Sequence, residues 1–209
     1  MQTIIMLIYE FATVLLPAII VTLAINFCIR KSKSAKCKRY YFCFALITVY
    51  LFAVFFITGA GTIYDLMRYG INIRTEQVNL IPFSDSEIDY LAYGLNVVLF
   101  LPFGFLLALA CPEFRKYKCT ILWSAVLTIM LESSQLLNNR RTDVDDIILN
   151  IIGAILGLMI YKLVFRSQKR REAKCVMAQY EIVVLIISTF LGRFLLFNEL
   201  GAAKLLYGF

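Results

Sequence analysis

The stretch CTILWSAVLTIMLESSQLLNNRRTDVDDIILNIIGAILGLMIYKLVF (119–165) decides the fold. Two long apolar runs, 119–137 and 147–165, enclose a short polar turn. A spanning helix needs about 20 mainly apolar residues, because the hydrocarbon core is about 30 Å thick and each helical residue rises about 1.5 Å. The stretch therefore reads as one helix crossing a bilayer and a second returning. Similar runs recur outward at about 9–29, 41–63, 95–111 and 179–197, giving six expected spans. The 95–111 and 147–165 runs are slightly short. Backbone groups in lipid must bond within their own segment, which makes an all-α polytopic bundle the expected class.

Composition agrees. Of 209 residues, 61% are hydrophobic and 17% charged, at a mean hydropathy of +0.78. Soluble domains run nearer half apolar and a quarter charged, so a water-soluble globular domain is excluded. The net charge of +7 suggests nucleic acid at first sight, but in membrane proteins basic residues mark cytoplasmic loops, and no nucleic-acid partner is expected. With no histidine, His-based triads, metal ligands and proton relays are ruled out. The first run lacks a basic region before it and an A-x-A-like cleavage site, so it is expected to be a retained helix.

Arg30, Lys31, Lys33, Lys36, Lys38 and Arg39 follow the first run; Arg115, Lys116 and Lys118 follow the third; Arg166, Lys169, Arg170, Arg171 and Lys174 follow the fifth. With Lys162 these are 15 of the 21 Lys and Arg, all on alternate loops. Those loops are expected in the cytoplasm and both termini outside, in a multi-pass protein of the bacterial plasma membrane. All six cysteines, Cys28, Cys37, Cys43, Cys111, Cys119 and Cys175, fall near the same cytoplasmic ends, as thiols kept in a reducing compartment would. No C-x-x-C occurs, and neither a metal site nor a cofactor is expected. Nothing divides the chain, so residues 1–209 are expected to form a single membrane domain.

The polar residues of the later spans are not scattered. Asp143, Asp146, Asn150, Gly153 and Gly157 are spaced 3, 4, 3 and 4, one stripe along a helix face. Glu132, Gln135 and Asn139 form a matching stripe on the preceding helix. Glu132 lies about five residues, roughly 8 Å, inside its helix. Asn96 and Arg193 lie near the outer ends of theirs, and Glu10 is a weaker candidate near the headgroups. A carboxylate at this depth costs roughly 2.5–3.5 kcal/mol to insert and calls for a partner, for which Arg140 and Arg193 are the available cations. The sequence thus describes a polar pocket in the outer leaflet, lined by Asn96, Glu132, Gln135, Arg140, Asp143, Asp146 and Asn150. Simpler roles compete: Gly153 and Gly157 as close helix packing, Asp143 and Asp146 as caps, Pro102 and Gly104 as a kink. In the outer segment 64–94, Ser84-Asp85-Ser86-Glu87 reads as a capping box that opens a short amphipathic helix on the membrane surface.

Asn79-Leu80-Ile81-Pro82-Phe83, Asn96 with Phe100-x-Pro102-x-Gly104, Glu132-x-x-Gln135, Arg140-x-x-Asp143-x-x-Asp146 and Asn150-x-x-Gly153 together resemble the VanZ-like integral membrane proteins. The elements follow the family's order over a core of residues 79–165. The one departure is Arg141 beside Arg140, which leaves open which arginine takes the family's position. The resemblance implies a role in low-level resistance to teicoplanin and related lipoglycopeptides in Gram-positive bacteria. Three mechanisms fit: binding of a lipid-linked cell-wall precursor, lipoglycopeptide or membrane-lipid headgroup; intramembrane enzymology with Glu132, Asp143 or Asp146 as acid or base; or a transporter or scaffold. No nucleophile–base pair or phosphate loop is legible, so no catalytic residue is assigned, and binding is the favoured expectation.

Overall fold

The computed structural model describes residues 2–28, 38–70, 77–84, 89–166 and 177–207. Six of its helices are long and apolar enough to cross a membrane: α1 (Gln2–Cys28), α2 (Lys38–Thr58), α4 (Tyr90–Ala110), α5 (Tyr117–Gln135), α6 (Val144–Val164) and α7 (Gln179–Leu196). Two shorter helices, α3 (Ile63–Tyr69) and α8 (Glu199–Tyr207), complete the described set. Successive spans alternate in direction. The starts of α1, α4 and α6 therefore share one end with the finishes of α2, α5 and α7, here the polar end. The opposite, basic end carries Arg39, Arg115, Lys116, Lys118, Lys162 and Arg166. The basic runs 30–37 and 167–174, and with them Cys37 and Cys175, lie outside the described residues.

Helix boundaries follow from caps. Asp89 accepts from the amides of Leu91 and Ala92 at 3.0 and 3.1 Å, starting α4 at Tyr90, earlier than the apolar run alone indicates. Tyr90, Leu91 and Tyr93 thus belong to the span. The capping box expected at 84–87 lies largely outside the described residues; Ser84 itself donates to Asn79 Oδ1 at 3.0 Å. Asp143 caps α6 through the Asp145 amide at 3.0 Å, so that helix too begins earlier, at Val144.

In lipid, apolar surface gains nothing by leaving its solvent, so helices associate through close packing. The tightest pair is α4 with α6. A methyl group on Gly104 would strike the Ala154 carbonyl, one on Gly153 the Val97 carbonyl, and one on Gly157 the Leu101 carbonyl. Three glycines bring two backbones into direct contact. This also shows where the lower half of the α6 stripe faces: onto α4, not onto α5. Gly104 serves this seam, and α4 stays continuous through Pro102, with the Tyr50 hydroxyl bonded to the Leu99 carbonyl at 2.9 Å. A second tight pair joins α1 to α7, where Gly192 seats Pro17 and the Thr13 carbonyl. Between the pairs lies a core of Ile47, Leu51 and Phe55 with Phe100, Phe103 and Leu107, closed by Leu127, Leu131, Ile182 and Ile186. Large side chains such as Ile20, Leu23, Phe42 and Leu163 point away from it, as a lipid-facing surface does.

Candidate functional site

Three aspartates crowd the start of α6, where the helix dipole favours negative charge, and each has its own task. Asp143 caps the helix and uses Oδ2 to receive the Asn79 amide at 3.2 Å and Arg141 at 3.5 Å. Val78 and Asn79 (β1) run parallel to Thr142 and Asp143 (β2), a two-residue bridge that joins distant loops. Asn79 Oδ1 in turn accepts from the Ile81 amide at 3.2 Å, an Asx turn that shapes Asn79–Phe83. Asp145 is almost wholly buried and receives the Phe83 amide at 2.9 Å and the Tyr93 hydroxyl. Phe83, at φ 55°, holds a left-handed backbone there. Asp146 faces α4 and receives the Asn96 amide.

One turn further in, Asn150 gives its amide hydrogen to Thr128 Oγ1 of α5 at 2.8 Å. That bond sets the register of two antiparallel helices. A turn toward the polar end from Thr128 is Glu132; a turn the same way from Asn150 is Asp146. The two carboxyl groups therefore stand at one level, and the charged groups acting on Glu132 are Asp146 and Asp143. Glu132 and Asn150 are each 4% exposed. Yet Glu132 Oε2 and Asn150 Oδ1 have no hydrogen-bond partner among the described residues. Native buried polar atoms are rarely left so, and each such atom calls for an explanation.

The cations expected to compensate Glu132 are engaged elsewhere. Arg193, buried in α7, pairs with Glu10 at 2.8 Å, donates to the Ala60 carbonyl and lies 5.1 Å from the Phe197 ring centre. Arg140 donates to the Thr58 carbonyl at 2.8 Å. Gln135 reaches the same carbonyl at 3.1 Å, and Asn138 reaches Gly59 O at 2.9 Å. The far end of α5 thus satisfies the open carbonyls of α2. The seven candidate residues fall into two groups: Asn96, Glu132, Asp143, Asp146 and Asn150 around the start of α6, and Gln135 with Arg140 over the end of α2. Arg141 is the arginine beside the carboxylates.

Asp145, Tyr93, Asn79 and Thr128 complete the first group without having been candidates. Asp145 falls off the 3–4 stripe, and its three-aspartate context was the available signal. Among the described residues, no three Asp, Glu, Cys or His side chains converge as a metal site would require. Between α3 and α8 a cavity of about 160 Å³ opens, lined by Thr62, Tyr64, Asp65, Arg68 and Glu199 among others. Chemically, the carboxyl cluster can accept hydrogen bonds or hold a cation.

A profile of the VanZ/LLP1 family matches residues 42–166. The match takes in α2 as well as the 79–165 core that carries the motifs. Protein VanZ of Enterococcus faecium is 26% identical over 142 residues, covering 66% of this chain and 87% of that protein. No solved structure matches.

Proposed function

We propose that this chain, which belongs to the VanZ/LLP1 family, contributes to low-level teicoplanin and lipoglycopeptide resistance by binding a cell-wall precursor or lipid headgroup at its polar end. It is a multi-pass membrane protein, and the proposal sets the polar end, with both termini, outside the cell. The loop charges support that orientation.

The observation that carries the reading is Glu132: a buried carboxyl with an open oxygen, level with Asp146 and, among the described residues, without a cation of its own. Such a group is costly to keep in a membrane protein, and intramembrane ionisable residues mark function more often than packing. The Asn79–Phe83 turn and the start of α6 form the rim above it.

The test is antibiotic protection in a susceptible Gram-positive host. Glu132→Gln and Asp146→Asn are expected to abolish teicoplanin protection at wild-type membrane levels, while Arg171→Ala leaves it unchanged. Full protection by Glu132→Gln would remove the pocket from the explanation. A second reading, intramembrane acid–base chemistry on a lipid-linked substrate, draws on the carboxyls of Glu132 and Asp146, which stand at one level. It predicts a chemically altered product after incubation with membranes, where the binding reading predicts none.

A further inference from the structure

From the open atoms around Glu132, we infer that the bound group is an alkylammonium, recognised through its N–H donors as well as its charge. The inference rests on the ligand-pocket reading of Glu132 given above.

What the site offers is acceptors. Glu132 Oε2 and Asn150 Oδ1 are buried and unpartnered. Asn150 has committed its amide to Thr128, so its open valence is a carbonyl oxygen. The amide of Asn96, the one donor on the α4 side shown bonding Asp146, is already engaged there. Arg193 is held by Glu10 and Arg140 by the end of α2. Arg141 bonds the outer aspartate, Asp143, from a half-exposed position. A phosphate or carboxylate would enter among like charges with few donors to meet it, which is costly in a desolvated site. A ligand carrying donors and positive charge reverses both terms, since hydrogen bonds between ionised partners are the strong ones.

A bare metal ion fits less well. It needs ligand oxygens converging at roughly 2.0–2.6 Å, and no three acidic, Cys or His side chains among the described residues converge in that way. A primary ammonium has three donors, and the open acceptors Glu132 Oε2 and Asn150 Oδ1 are there to take two of them. Methylation of its nitrogen deletes the donors while keeping the charge, which gives the test its sharpest comparison.

Full-length protein in detergent is titrated with dihexanoyl-phosphatidylethanolamine, its trimethylated counterpart dihexanoyl-phosphatidylcholine, dihexanoyl-phosphatidylglycerol and the dipeptide Nα-acetyl-lysyl-alanine, and binding is read by native mass spectrometry. At least one primary amine is expected to bind tenfold or more tighter than phosphatidylcholine and phosphatidylglycerol. Glu132→Gln should erase that preference, and Ser133→Ala on the exposed neighbouring position should keep it. The wild-type ratio carries the inference even where a variant fails to fold. Tighter binding of the ethanolamine lipid assigns the amine to a headgroup, and tighter or equal binding of the dipeptide assigns it to a soluble source. Both outcomes support an ammonium site. Equal binding of the ethanolamine and choline lipids without a stronger dipeptide, a preference for phosphatidylglycerol, or no amine binding at all overturns it. Whether the pocket reading falls too is decided separately, by protection in the Glu132→Gln strain.

Discussion

Replacing Arg193 by methionine tests the buried ion pair that ties α7 to α1. Arg193 and Glu10 have side chains only 7% exposed, with the guanidinium 2.8 Å from Glu10 Oε1. The same guanidinium donates to the Ala60 carbonyl just beyond α2. Arg193→Met leaves a buried carboxylate without its cation and a carbonyl without a donor. Breaking a buried pair from one side costs about 3–5 kcal/mol, which at about 1.4 kcal/mol per decade is a shift of roughly 10²–10⁴ in the unfolding equilibrium. Glu10→Met combined with Arg193→Met removes both charges, and hydrophobic replacement of a buried pair is often neutral. The double variant should therefore recover most of the loss. The assay is reversible SDS denaturation in mixed micelles, followed by the fluorescence of the single tryptophan, Trp123. A single variant that loses less than about 1 kcal/mol, or a double variant as costly as the two singles added, would refute the reasoning.

Three further outcomes are expected. Gly153→Ala drives a methyl into the Val97 carbonyl and should cost about 1–3 kcal/mol as overpacking, measured by the same denaturation, while Gly94→Ala, with open space around it, should cost far less. Membrane-impermeant thiol reagents should label Arg141→Cys in intact cells and Arg170→Cys only after permeabilisation; the opposite pattern would invert the orientation. Burial, and secondarily the bond from its Sγ to Glu113 at 2.8 Å, raises the Cys111 thiol from 9.0 to about 12, so its folded-state preference for the proton stabilises the protein fully below pH 9 and is lost as pH rises from 9 toward 12. Denaturation midpoints of wild type and Cys111→Ala across that window check the sign.

Apolar length sufficed to locate the spans because the bilayer thickness leaves little freedom. Caps were harder to read: Asp89 sits among tyrosines, and the run of apolar residues alone begins too late. Helical spacing put Asp143, Asp146 and Asn150 on one face, but periodicity orders residues within a helix and says nothing about which neighbour receives them. The glycines of that face turned out to meet α4, since small residues follow the closest backbone. Arg140 left the company of Glu132 for a geometric reason. Beyond α5 the chain tightens into a 3-10 turn at Leu136–Asn138 and reverses at Asn139, φ 60°, which carries Arg140 over the end of α2. Arg193 and Glu10 are 183 residues apart, a pairing no local pattern announces.

The small parallel bridge between β1 and β2 sets an order on how the protein is made. Asn79 and Asp143 are 64 residues apart, so at synthesis rates of about 5–20 residues per second roughly 3–13 s pass between them. Throughout that interval the Asn79–Phe83 turn lacks the aspartates that receive its amides, and α4 lacks its glycine-bearing partner. The carboxyl cluster is therefore a late product of biogenesis, closed only when the fifth crossing enters the bilayer. A chain halted before that point would leave the Asn96 amide without the aspartate it bonds.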